Sequence, residues 1–127
     1  MIKVMVFGVF DGFHEGHEGF LREAHSLGDH LIAVVAQDHV VRHLFGKEPS
    51  VNFVERFEEL EKRDKVDEVA IGGVAFGNWE IVERLRPDII AFAADQKLLL
   101  ENFKEAVTQL SIQPKVKILK SFEIEKM

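Results

Sequence analysis

The stretch GVFDGFHEGH, residues 8–17, stands directly behind the apolar run IKVMVF, residues 2–7, and its reading decides the fold. The apolar run has the length of a strand and breaks into glycine and aspartate. The chain then resumes as FLREAHSL, with Phe20, Leu21, Ala24 and Leu27 on one helical stripe and Gly28 placed to stop it. This is a strand turning into a helix, and the alternation repeats down the chain. KVMVFGV (3–9), LIAVVAQ (31–37), EVAIG (68–72), DIIAFA (88–93) and KVKILK (115–120) read as strands. Four of the five are nearly continuous in apolar character, as buried parallel strands are. NFVERFEELEKRD reads as a helix with Asn52 as N-cap and Phe53, Phe57 and Leu60 turned inward. WEIVERL, closed by Pro87, and KLLLENFKEAVTQL, repeating at Leu99, Phe103, Ala106 and Leu110, are two more. RHLFGKEPSV, residues 42–51, is the least regular stretch and is read as a mobile loop.

Strands alternating with helices require right-handed crossovers and a parallel sheet covered on both faces. The expectation is a Rossmann-like, doubly wound α/β fold with five parallel strands in the order 3-2-1-4-5. At 127 residues the chain is one ordinary domain, 1–127, large enough to bury a core without disulfides or a structural metal. A net charge of −6 argues against a nucleic-acid partner, although a local basic pocket can still hold a phosphate ligand. With no cysteine, disulfides, thiolate nucleophiles and cysteine-bound zinc are excluded. The first apolar run is too short for a membrane span and lacks the flanks of a signal peptide, so the expected setting is the cytoplasm, away from membranes.

Ligands of open α/β sheets bind beyond the carboxyl ends of the strands, where the strand order reverses, and residues 8–17 lie just past the first strand. A helix beginning near Gly16 offers free backbone N–H groups and a positive dipole end, both suited to phosphate. His14 and His17, three apart, can aim at the same anion. The same pair with a nearby acid could also bind zinc, but the sequence supplies no clear third ligand, so no metal site is assigned to protein residues. Packing and capping is the plain alternative, and the clustering of Gly8, Asp11 and Gly16 around the two histidines weighs against it.

These residues resemble a known family. GVFDGFHEGHEGFLREAHSLGDHLIAVVAQDH is similar to the nucleotidyltransferases that carry G-x-F-D-x-x-H-x-G-H, the cytidylyltransferase-like group. That group includes glycerol-3-phosphate cytidylyltransferase, the ADP-heptose and CDP-ethanolamine enzymes and the archaeal-type FAD synthetases. The similarity continues through VVRHLFGKEP, VERFEELEKRDKVDEV and ERLRPDIIAFAADQ, whose DQ ending leans toward the FAD-synthetase branch, while NWE leans toward the glycerol-phosphate branch. The resemblance implies attack by a substrate phosphate on the α-phosphorus of ATP or CTP, with pyrophosphate leaving and Mg²⁺ assisting. The acceptor is a small phosphorylated molecule, FMN first and glycerol 3-phosphate next, and a homodimer is expected. Charge, rather than proton transfer, is the difficulty in such a step, so catalysis should come from positioned hydrogen-bond donors.

Roles follow for individual positions. His14 and His17 stabilise the transition state, while Gly8, Val9, Phe10 and Gly16 lend backbone contacts to phosphates. Lys47 and Arg56 reach the triphosphate or the acceptor phosphate. Asp11 either holds the loop or helps place Mg²⁺. Asp95 faces the opening motif across the crevice and touches base or ribose, with Gln96 beside it. Trp79 either meets the acceptor or packs in the core. His25, His30, His39 and His43 are surface or packing residues.

The family's pattern closes with a basic residue and a Ser/Thr cluster opening a final helix. Here the sequence reads KILKSFEIEKM, in which Lys120 and Ser121 are the candidates for that phosphate-binding element. This departure keeps a second class open beside the enzyme, a non-catalytic nucleotide-binding module.

Overall fold

The structure, a computed structural model, describes residues 1–75, 77–120 and 124. Among the described residues five strands and five α-helices follow in the order β1 (Lys3–Gly8), α1 (Glu15–His25), β2 (His30–Val35), α2 (Asp38–Phe45), α3 (Phe53–Glu61), β3 (Glu68–Ile71), α4 (Glu80–Leu85), β4 (Ile89–Ala93), α5 (Lys97–Ala106) and β5 (Lys115–Leu119), with a 3₁₀ turn (Val107–Gln109) after α5. All strand pairs are parallel and the order is β3-β2-β1-β4-β5. Both the fold class and the order are those expected from the alternation of apolar runs.

β1, β2 and β4 divide their side chains between two cores because successive residues point to opposite faces. On one face Val4, Val6, Leu31 and Ala33 pack with Phe20, Leu21 and Ala24 of α1 and Leu60 of α3. On the other, Met5, Ile32, Ile90 and Phe92 pack with Ile81 and Val82 of α4 and Phe103 of α5. Phe20 is fully buried, a contribution of about 1.5–3 kcal/mol from apolar area alone. The edge strand β5 is exposed along most of its length and carries Lys115 and Lys117, charges that oppose edge-to-edge association.

Three aspartates fix the register at the amino end of the sheet. Asp29, just before β2, accepts from the Ile2 amide at 2.7 Å; Asp88, just before β4, from Lys3 at 2.8 Å; and Asp67, just before β3, from Leu31 at 2.8 Å. The carboxyl ends of the strands open into the turns that build the site.

One stretch differs from the sequence expectation. Arg42–Phe45 are not loop but the last turns of α2, which buries Val40 and Val41 and ends on Gly46 in the left-handed conformation (φ 71°). Gly46 satisfies the Arg42 carbonyl, the usual work of a glycine just past a helix end. Asn52 caps α3 as expected, accepting from the Glu55 amide at 3.0 Å. Gly28 does not stop α1, which is capped at Ser26. Instead Gly28 crosses so close to β1 that a Cβ there would lie 2.7 Å from the Ile2 carbonyl oxygen.

Candidate functional site

The turn after β1 is held in an unusual shape. Phe10 is buried at φ 55°, a conformation that costs a bulky residue about 1–3 kcal/mol and persists only where neighbours enforce it. Gly8 makes room for that ring, since a Cβ would come within 2.8 Å of it. Arg56 enforces the turn from below. Its side chain has no solvent exposure; Nη1 donates to the Val9 carbonyl at 2.8 Å, Nε to Val51 at 2.9 Å and Nη2 to Asp38 Oδ1 at 2.6 Å. Asp38 Oδ2 in turn accepts from the Phe53 amide. Arg56 is expected from the sequence to reach a phosphate; in the structure all three of its nitrogens donate within the protein and hold the turn, α2 and α3 together.

Asp11 works from above. Its two oxygens accept from the Ser50 and Val51 amides, each at 2.8 Å, and tie the turn to the loop that follows Lys47. Of the two roles left open for Asp11, the geometry is that of loop-holding. Lys47 itself is exposed on that loop.

The two histidines form a capping box at the start of α1. His14 is the N-cap and its Nδ1 accepts from the Gly16 amide at 3.0 Å; His17, at the third helical position, accepts from the His14 amide through its own Nδ1 at 3.1 Å. A neutral imidazole that accepts at Nδ1 must carry its proton on Nε2. Both rings are thereby set as Nε2–H donors by the same backbone turn that opens the helix, with centroids 3.9 Å apart. The spacing of three is the geometry of a helix cap as well as of two donors for one anion.

They differ in exposure. His14 faces solvent, whereas His17 is 1% exposed between Phe10 and Phe13. His17 Nε2 donates to the Ile124 carbonyl at 3.1 Å, and the Ile124 amide donates to Asp95 Oδ1, also at 3.1 Å. Burial first, and the neighbouring His14 second, push the His17 imidazole down from 6.5 to about 4, against the opposing pull of the Ile124 carbonyl, Asp95 and Asp11. His17 is neutral at physiological pH.

Beyond the carboxyl ends of β1, β2 and β4 lies a crevice of about 450 Å³, with Gly8 and Val9 of the turn on one side. Asp95, Gln96 and Trp79 line it, the remainder being mainly apolar side chains of α2 and α5 with the glycines after β3. The Gln96 amide is engaged with backbone, accepting from Ala93 at 2.9 Å and donating to Phe7 at 2.6 Å, and so it braces β1 against β4 where they diverge. Trp79 is both core and wall. It packs edge-on against Phe7 and Phe103 and donates from Nε1 to Asn102 at 2.7 Å. Lys120 is exposed in the turn after β5, while Ser121 lies outside the described residues. His25 and His30 pair with Asp67 and Glu68, and His39 meets the Val74 carbonyl, all away from the turn. Sequence reasoning did not find Asp38, Asn102 or Ile124, whose parts emerge only through distant partners. Among the described residues no cluster of three His, Asp or Glu side chains could hold a metal ion.

The arrangement is a helix-capping turn carrying two imidazole Nε2–H donors beside an apolar crevice. The family model described as cytidylyltransferase-like matches residues 5–125. A protein named FAD synthase from Thermococcus sibiricus is 41% identical over 115 residues, covering 91% of this chain and 78% of that one. Another of the same name, from Aciduliprofundum boonei, is 39% identical over 122 residues, 96% of this chain and 80% of that one. Among solved structures, a lipopolysaccharide core biosynthesis protein from Thermoplasma volcanium superposes with a TM-score of 0.87 at 33% identity, over 97% of this chain and 99% of the other. A family match over residues 5–125, together with relatives about 40% identical over nine-tenths of the chain, shows that the chain belongs to the cytidylyltransferase-like family and is a nucleotidyltransferase.

Proposed function

We propose that the protein transfers the adenylyl group of MgATP to FMN, forming FAD and pyrophosphate. The observation that carries the reading is the roughly 40% identity, over nine-tenths of the chain, to proteins named FAD synthase. A phosphate oxygen of FMN attacks the α-phosphorus, a new P–O bond forms, and the bond to the bridging oxygen of the β-phosphate breaks as pyrophosphate leaves. The acceptor is already an anion, so no base is needed. The Nε2–H of His14, with the positive dipole end of α1 behind it, meets the charge that builds on the phosphoryl oxygens, and His17 adds a second donor once a phosphate takes the place of the Ile124 carbonyl.

The metal fits best as part of the nucleotide substrate. Both oxygens of Asp11 are engaged with backbone amides and one oxygen of Asp95 with Ile124, which leaves coordination to triphosphate oxygens and water. Exposed Lys47 and Lys120 are the cations placed to follow the phosphates. In this reading the enzyme works in the cytoplasm as a homodimer, on small molecules and without nucleic acid or membrane.

The test crosses ATP and CTP with FMN and glycerol 3-phosphate in the presence of Mg²⁺, measuring pyrophosphate release and, by chromatography, the dinucleotide. FAD from ATP and FMN is expected. Pyrophosphate released only with CTP, or only with glycerol 3-phosphate, overturns the substrate assignment. Absence of release with every pair, despite nucleotide binding, overturns the enzymatic reading.

A further inference from the structure

We infer that the apolar crevice between α2 and α5 is the seat of the flavin ring, the tricyclic isoalloxazine, and that Phe45 and Leu98 at its mouth set the preference for a flat aromatic acceptor. The inference rests on the transferase reading above and goes beyond it by placing the acceptor and naming the side chains that select it.

The chemistry of the lining separates the substrates. Among the described residues no lysine, arginine or histidine lines the crevice, a lining unsuited to a triphosphate. The phosphate-binding donors instead gather at the turn on its border, where Gly8 and Val9 belong to both. Val40, Leu44 and Phe45 come from α2, and Leu98 and Leu99 from the first turn of α5. Phe45 is 36% exposed and Leu98 66%, large apolar side chains of the lining left partly in water, one from α2 and one from α5. A flat apolar ring inserted between them covers both.

At about 450 Å³ the space lies within the ordinary range for small-molecule sites, and it is more than a two-ring base fills. A three-ring system with two methyl groups matches both its size and its walls. Among the described residues the polar side chains of the lining are Asn78, Asp95 and the backbone-engaged Gln96, which leaves Asn78 and Asp95 for the one polar edge of a ring. Trp79, buried in the wall against Phe7, supplies a reporter because indole in contact with isoalloxazine quenches flavin fluorescence.

The experiment titrates riboflavin, which has the ring but no phosphate, into the full chain and follows its fluorescence, with adenosine as competitor. Phe45→Glu and Leu98→Glu are compared with the wild type, circular dichroism confirming that each is folded. Both positions are exposed, so either variant keeps the core. Expected are quenching on binding to the wild type and affinity weaker by about tenfold or more in each variant, because a carboxylate then borders the ring. Affinity for a non-hydrolysable ATP analogue should be unchanged.

Failure to bind riboflavin, unchanged affinity in both folded variants, or one-for-one displacement by adenosine overturns the assignment. FAD formation is measured separately. If FAD forms with an unaltered KM for FMN in both variants, the crevice assignment falls and the transferase reading stands. If no FAD forms but the ring binds and the variants weaken it, the transferase reading falls and the crevice assignment stands.

Discussion

Replacing Arg56 by alanine should unfold the protein more readily before it does anything specific to nucleotide binding. The guanidinium is wholly buried, and its removal strands three acceptors: the Val9 and Val51 carbonyls and the Asp38 carboxylate. Val9 is itself buried, and an unsatisfied buried carbonyl costs about 1–3 kcal/mol. Breaking a buried ion pair costs about 3–5 kcal/mol, and the Asp38 side chain, 31% exposed, recovers part of that from water. The lower end, about 3 kcal/mol, is therefore expected. For a chain of this length each kcal/mol lowers Tm by about 4 °C, so a fall of about 12 °C should appear by calorimetry. Arg56→Lys keeps the charge but cannot make three fixed bonds, and should fall in between. Were Arg56 a phosphate ligand, Tm would hold and KM for ATP would rise. A Tm within about 3 °C of wild type in Arg56→Ala would falsify the account of this residue as the clamp beneath the turn.

Other consequences are smaller. His17→Ala should fold and lose about a hundredfold in turnover, the scale of one transition-state donor; near-normal pyrophosphate release removes His17 from the mechanism. His17 also makes stability depend on pH. Its folded value near 4 lies below 6.5, so the unfolded chain binds the extra proton between the two, and its contribution is lost as pH falls through that window. Urea unfolding at several pH values should show a steeper loss in the wild type than in His17→Gln, and equal slopes contradict the burial argument. Asp11→Asn should destabilise by about 1–2 kcal/mol through the weakened bonds to Ser50 and Val51, leaving the Mg²⁺ requirement unchanged; a raised Mg²⁺ midpoint makes Asp11 a metal ligand instead. Ile124→Ala removes buried apolar volume from the core that also holds Phe10 and should cost about 2–4 kcal/mol in chemical denaturation, whereas a neutral result denies that Ile124 belongs to the core.

Periodicity carried the fold because buried parallel strands write themselves as unbroken apolar runs, and four of the five here do so. Helix α2 stayed hidden because it is short and its N-cap, Gln37, makes no side-chain capping bond, so no signal marks its beginning. Its end was marked by Gly46, yet a glycine followed by lysine, glutamate and proline reads equally well as loop. In the site, the histidines, Asp95 and the glycines were legible since they sit in one short motif or at a strand end. The role of Arg56 was not. A cation on a helix looks the same in sequence whether it faces a ligand or the protein, and only the meeting of Val9, Asp38 and Val51 around one guanidinium decides between them. Ile124 is a further case, joined to His17 across 107 positions of chain.

The capping box makes one turn of helix the keeper of both imidazoles. If the first turn of α1 frays, the Gly16 and His14 amides leave the two Nδ1 atoms together, and each ring is released to rotate and to exchange tautomers. Activity should then fail as a unit, with no state in which one histidine is aligned and the other is not. Mild heating or low denaturant would silence the enzyme while the sheet beneath it still gave a native spectrum, because opening a terminal turn requires far less than opening a core. Conversely, a substitution that strengthens the start of this helix without touching a histidine would extend the working temperature of the enzyme more than its melting point.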